Sequence, residues 1–223
     1  MDCMNARVIS TNIAVPCDNA AGTYSRTGIN KQPAESISVF APGPHYGDGS
    51  GVEGDFIGDD QHHGGAHKAV YAFSREELDF WQQELGRELI DGSFGENLTT
   101  QGINLGNLVI NQRVRIGNAV LEVSVPRTPC ATFAAWMAEK GWVKKFTARG
   151  DCGAYFRVIS AGTIAPHDSI ILEAAPSHGV TMAEAFAVKM GNREQLEKVV
   201  NAQCLPGHHH EQLVQRLERI ISR

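Results

Sequence analysis

The run Pro126-Arg127-Thr128-Pro129-Cys130 puts a thiol at the end of a stiff loop. Proline fixes φ, so the two prolines hold Cys130 in place. The Arg127 guanidinium and the helix-prone segment that follows would both favour the thiolate, which is the nucleophilic and metal-ligating form. The plainer use of such a cysteine is as a small buried apolar residue. Cys3, Cys17, Cys152 and Cys204 have no comparable surroundings and are assigned no chemistry.

A second run, Gln61-His62-His63-Gly64-Gly65-Ala66-His67-Lys68, stands directly before an apolar segment. His63 and His67 have the i, i+4 spacing of a zinc pair, but Gly64-Gly65 disfavours the helix that gives this spacing its meaning. Two glycines let backbone N–H groups approach a ligand closely, and Lys68 adds a positive charge, so the stretch reads better as an anion cradle. In Phe94-Gly95-Glu96-Asn97-Leu98, Asn97 offers a donor and an acceptor suited to the edge of a heterocycle, and Glu96 is expected to orient the loop. A turn whose polar side chain bonds its own backbone is the alternative there.

Gly49-Ser50-Gly51-Val52-Glu53-Gly54 is formally a dinucleotide fingerprint, but no strand precedes it and no helix follows. Asp48, Glu53, Asp55, Asp59 and Asp60 would repel a pyrophosphate and lack the EF-hand register, so they are expected to form a solvated acidic loop. His208-His209-His210 is expected as a surface cluster ahead of the last helix.

These groups need a scaffold. Up to about Ala174 the chain is rich in glycine, proline and β-branched residues, with short apolar runs divided by turns. The runs predict strands over Ala6–Ser10, Ser36–Phe40, Ala69–Phe73, Leu108–Asn111, Arg113–Ile116, Ala119–Val125, Ala154–Ser160 and Ser169–Glu173, a pattern that suits a barrel or sandwich. Ser74-Arg75-Glu76-Glu77 is a capping-box pattern, with Leu78, Trp81 and Leu85 following at helical spacing. A second helix is expected from about Ala131 to Glu139. After Pro176 three short helices follow: Thr181-Met182-Ala183-Glu184 is another capping box, Asn192 caps a helix to about Ala202, and Pro206-Gly207 breaks before the last.

The chain has 223 residues, 42% of them hydrophobic, and a net charge of −5, which gives no global basic field for nucleic acid polymers or anionic membranes. No secretory n-region and no apolar stretch of membrane-spanning length is visible, and five cysteines without paired spacing suit a reducing compartment. The expectation is a soluble, cytoplasmic protein.

In this order, the three motifs resemble the MOSC family, named for the C-terminal domain of molybdenum-cofactor sulfurase. Thr27-Gly28-Ile29-Asn30-Lys31, then Gly54-Asp55 eight residues before His63-Gly64-Gly65, the FGENL run and PRTPC are all similar to small bacterial members. Gly153–Glu173, with Gly162-Thr163 and Asp168, resembles the family's last barrel hairpin, and the tail from Val180 resembles an appended three-helix unit. The segment Gly43–Gly51 is longer and more acidic than usual, and the pattern does not require His62.

The resemblance implies a mainly β, barrel-like fold with a few inserted helices over residues 1–174, and a small three-helix domain over 175–223. It implies a bound molybdenum cofactor (molybdopterin) rather than pyridoxal phosphate. Cys130 would ligate molybdenum or carry sulfur as the catalytic residue, with His63, Gly64, Gly65, Lys68, Asn97 and Arg127 binding the cofactor. Thiolate is a soft ligand, and the cofactor's phosphate needs cations and N–H donors. Arg113, Arg115 and Arg157 are further candidate cations that nothing ranks. The implied activity is detoxifying reduction of small N-hydroxylated compounds such as hydroxylaminopurines, hydroxamates or amidoximes. No iron–sulfur spacing or flavin fingerprint is present in the sequence, so electrons are expected from a flavin or iron–sulfur reductase. A homodimer stays open. The competing functions are a non-catalytic carrier of the cofactor or of persulfide sulfur, and a zinc hydrolase built on His62, His63 and His67.

Overall fold

Period-two alternation is clearest in β8 (Arg113–Ile116), where Val114 and Ile116 are buried and both arginines are exposed. The same alternation runs through β9 (Ala119–Val123), with Ala119, Leu121 and Val123 inside. The computed structural model describes residues 6–222, so Cys3 lies outside the described residues. Before this hairpin come β1 (Arg7–Ala14), β2 (Cys17–Asp18), β3 (Arg26–Thr27), β4 (Lys31–Ala34), β5 (Ile37–Val39), β6 (Val70–Ser74), helix α1 (Arg75–Leu85) and β7 (Leu98–Gln101). After it come α2 (Ala131–Met137), α3 (Trp142–Arg149), β10 (Ala154–Ser160), β11 (Gly162–Ile164) and β12 (Ile170–Leu172). Helices α4 (Met182–Lys189), α5 (Leu196–Ala202) and α6 (Gly207–Ile221) follow.

Eight strands form one sheet in the order β12-β8-β9-β10-β6-β7-β1-β4. All its pairings are antiparallel except β6 with β7, which are joined through α1. The sheet curls until its far edge returns to β1: Val8 N donates to Asp168 O at 2.9 Å, and Ile170 N to Ala6 O at 2.8 Å. That curl makes the fold mainly β and barrel-like, as expected, with helices packed outside.

An aromatic cluster fastens α1, α2 and α3 to β6. Phe94, Phe133 and Trp142 meet edge to face with centroids 5.1–5.5 Å apart, and Phe146 lies 5.2 Å from Phe133. At α1, Ser74 Oγ accepts from Glu77 N, but the Glu77 carboxylate pairs with Arg149 of α3 instead of closing the capping box. At α4 the box is complete: Glu184 N donates to Thr181 Oγ1 and Thr181 N to Glu184 Oε2.

Several expectations are corrected. Leu108–Asn111 is not a strand, because Asn111 is left-handed at φ 67° and Gln112 N turns back to Val109 O. Those residues instead dock the tail, through Met182 N to Leu108 O and Ile110 N to Val180 O. Strand β7 carries two threonines and a glutamine and so lacks an apolar signal, yet Thr99 is fully buried because Glu96 and Asn12 satisfy its hydroxyl. Helix α3 has no side-chain N-cap; it starts after left-handed Gly141 and ends at Gly150. Asn192 forms a turn with Glu194 N rather than capping α5, which starts after Gln195. His208, His209 and His210 lie inside the first turn of α6, not ahead of it, and His209 is buried.

Candidate functional site

The β9–β10 ladder continues past β9, with Ser124 N bonded to Tyr155 O and Tyr155 N to Val125 O. The chain leaves this ladder at Pro126 and reaches α2 through the stiff loop. Cys130 is the N-cap of α2, and its Sγ accepts from Phe133 N at 3.5 Å. Arg127 is buried beneath it. One guanidinium nitrogen donates to Phe94 O and, at 3.4 Å, to the Tyr71 hydroxyl, while the guanidinium plane lies over the Phe133 ring.

The histidine–glycine turn faces this loop. Gly64 and Gly65 both have positive φ, and a Cβ on Gly65 would fall 2.0 Å from His45 O. Glycine is needed there because the turn packs directly on the backbone of residues 43–49. Gly65 N donates to Gly49 O and Ala66 N to Gly43 O, so these two amides are spent on the protein, whereas Gly64 lines the cleft. Lys68 Nζ donates to His62 O at 2.6 Å. Burial draws its ammonium down to about 8, with Asp59 acting in the opposite direction. Burial, and then Lys68, draw His63 down to about 3, so its ring is neutral at pH 7 and faces the Tyr155 hydroxyl at 3.4 Å. His62 is exposed and bonds Asp59, and among the described residues no three metal-ligating side chains converge.

The floor of the cleft is an ion pair. Lys31 Nζ is 2.5 Å from Asp55, with the two side chains only 6% and 2% exposed. Burial would raise the Asp55 pKa, but Lys31, the Asn97 amide and the Ala14 N–H more than offset it and hold the carboxyl below its ordinary range. Asn97 lines the cleft with its amide committed to the protein: Nδ2 donates to Asp55 and Oδ1 accepts from Tyr71 N. Glu96 orients the loop as expected, accepting from Gly92 N, Phe94 N and Thr99 Oγ1. The acidic loop is corrected in one respect, since Asp55 is a buried partner of Lys31 rather than a solvated acid.

The structure therefore brings Cys130, Arg127, Lys68, His63, Gly64 and Asn97 to one cleft, with Gly65 immediately behind its wall. Arg113, Arg115 and Arg157 pair with Glu122 or Glu173 and line none of it. Sequence reasoning gave no role to Lys31 and Asp55, although both lie in quoted motifs. It also missed Tyr24, Tyr71 and Tyr155 on the walls, and Tyr46, His208 and His209 at the outer end. No local pattern marks these residues, because their neighbours come from distant segments.

The arrangement combines a presented thiol with two cations, buried Arg127 and half-buried Lys68. Among the described residues neither Lys68 nor Arg127 has a carboxylate within ion-pair distance. Such a cleft suits an anionic ligand that also carries a soft metal centre.

The uncharacterized protein YflK of Bacillus subtilis (strain 168) is 30% identical over 218 residues, covering 96% of each chain. A protein named reductase from Gibberella moniliformis (strain M3125 / FGSC 7600) is 33% identical over 138 residues, which cover 60% of this chain and 24% of that protein. The crystal structure of YiiM from Geobacillus stearothermophilus superposes with a TM-score of 0.75 at 23% identity, covering 95% of this chain and 99% of that one. Among the described residues no helix is long and apolar enough to cross a membrane. The model of the MOSC domain family matches residues 59–171, the span that holds the histidine–glycine turn, the FGENL loop and Cys130, and the chain belongs to that family.

Proposed function

We propose that this protein binds the molybdenum cofactor in the cleft, with Cys130 as molybdenum ligand, and reduces small N-hydroxylated compounds with electrons from a flavin or iron–sulfur reductase. The observation that carries this reading is a capped thiol beside two cations, buried Arg127 and half-buried Lys68, neither of which is held in an ion pair among the described residues. Burying charge without an ion-pair partner is costly, so a site that keeps Lys68 and Arg127 out of ion pairs suits an anion. A phosphate meets that need, and a thiolate meets that of a soft metal. The name of the Gibberella relative supports the reductase class.

When bound, the cofactor supplies the two-electron redox chemistry. The chain's own residues would bind and orient it. Lys68 and Arg127 hold the anionic end, Gly64 permits close approach, and Cys130 is held toward the metal by the proline-stiffened loop. Asn97 acts by fixing Asp55 and the Tyr71 backbone, and neutral His63 with Tyr155 forms a polar wall free of added charge.

Metal and pterin analysis of protein from a cofactor-competent host tests this directly. Stoichiometric molybdenum, lost in Cys130→Ser, is expected, together with reduction of hydroxylaminopurine by loaded protein given an artificial electron donor. Absence of molybdenum in the wild type would reject cofactor binding. Molybdenum without turnover would leave the carrier function.

A further inference from the structure

Two features without a role in the barrel site meet at the outer end of the cleft. Tyr46 lies in the long loop 43–51, and His208 and His209 open α6. The Tyr46 hydroxyl is 2.8 Å from His209 Nε2 and 3.1 Å from His208 Nε2. Lys189 Nζ bonds His209 Nδ1 from α4. Lysine has donors and no acceptor, so Nδ1 is the accepting nitrogen and the proton of neutral His209 sits on Nε2. His209 therefore donates to Tyr46 Oη, and Tyr46 donates onward to His208. The His208 ring also meets the Tyr46 ring edge to face, with centroids 5.2 Å apart. The Tyr46 hydroxyl thus both accepts and donates, and with the His208 ring against its edge the phenol is held in position and in rotation.

The face of that fixed ring carries Lys68. Its Nζ stands 4.8 Å from the Tyr46 centroid and 5.7 Å from that of Tyr155. A ring face attracts an ammonium through its quadrupole, and more strongly where water is excluded. His62 O supplies the only hydrogen bond that Lys68 Nζ makes among the described residues, so the two rings set where the long side chain comes to rest.

We propose that Tyr46 is a positioning residue: clamped by His208 and His209, it holds the Lys68 ammonium at the cleft, so that helices of the tail set a cation of the barrel site. This rests on the assignment of Lys68 as a ligand-binding cation. A clamp that merely docks the tail would change stability and leave Lys68 untouched.

Site-resolved acetylation of the full chain, followed by mass spectrometry, separates the two. Lys31, buried against Asp55, reports an intact barrel by staying unmodified, and exposed Lys140 serves as the rate reference. Tyr46→Leu removes the ring and should raise the Lys68 rate about fivefold, the size of a partly desolvated cation–π contact. Tyr46→Phe keeps the ring and its edge contact with His208 but removes the hydroxyl bonds to both histidines, and a smaller rise is expected. An unchanged Lys68 rate in Tyr46→Leu overturns the role of the ring, and one in Tyr46→Phe overturns the clamp. Tyr46→Phe also decides the matter if Tyr46→Leu fails to fold. Molybdenum content, measured on the same samples, should fall with the rise in labelling. Wild-type protein without molybdenum would refute the cofactor reading alone, since the labelling comparison needs no cofactor.

Discussion

The Arg127 guanidinium lies 3.7 Å from the centroid of the Phe133 ring, so the residues three before and three after Cys130 touch each other. Phe133 N also donates to Cys130 Sγ, and its ring is fully buried among Phe94, Trp142 and Phe146. Thiol, cap and cation thus form one block anchored in the aromatic cluster.

Because serine is a favoured N-cap, Cys130→Ser should leave α2 and the thermal midpoint nearly unchanged. Oxygen is a harder ligand that rarely ionises, so bound molybdenum and reductase activity should be lost. Metal analysis beside a melting curve checks both. A variant that keeps its molybdenum would remove the thiol from its assigned role.

Arg127→Lys should not behave as a conservative change. A lysine cannot bond Phe94 O and the Tyr71 hydroxyl while lying flat on Phe133. A loss of about 1–3 kcal/mol in urea unfolding is expected, the usual cost of an unsatisfied buried group, with reduced cofactor content. Unchanged stability would contradict the buried geometry.

Lys68, drawn from 10.5 to about 8 by burial, loses its charge well before an unfolded lysine does. Below pH 8 the buried ammonium costs stability, and that cost is relieved as pH rises through 8. Over the same range the cation is lost. Binding of inorganic pyrophosphate to cofactor-free protein, followed by calorimetry, should therefore weaken above about pH 8, and Lys68→Arg should extend it to higher pH. Binding that ignores pH up to 10 would exclude Lys68 as the anion's partner.

Glu96 has its pKa raised to about 7, chiefly by burial. Between 4.5 and 7 the folded protein then holds a proton that the unfolded chain has released, so stability should decline as pH rises through that window. Glu96→Gln should flatten this slope while lowering stability overall, because one amide oxygen cannot replace a carboxyl that accepts three donors. Melting temperatures at pH 5 and pH 7.5 for both proteins provide the check.

Much of the site was legible because its chemistry is local. A rigid loop running into a helix N-terminus was readable in PRTPC, and a turn that permits close backbone approach in the glycine pair. The flanks of the thiol loop showed as the alternating run Leu121–Val125 before it and the helix-prone segment from Ala131 after it. What glycine was for proved different at Gly65, where close contact with His45 O, rather than a free amide, demands the missing side chain.

By itself the sequence determined the family and the β-rich character of the fold, with strands such as Arg113–Ile116 and Ala154–Ser160, since each follows from a short motif or from strand-like residue runs. Only the tertiary structure decided that Asp55 pairs with Lys31, that buried Thr99 belongs to a central strand, and that Tyr46 meets His208 and His209 more than 160 residues away. Those contacts exist because the sheet curls back on β1 and the tail docks on Leu108 and Ile110. Such closures are set by the summed packing of the whole core, which leaves no local trace in the residues that it brings together.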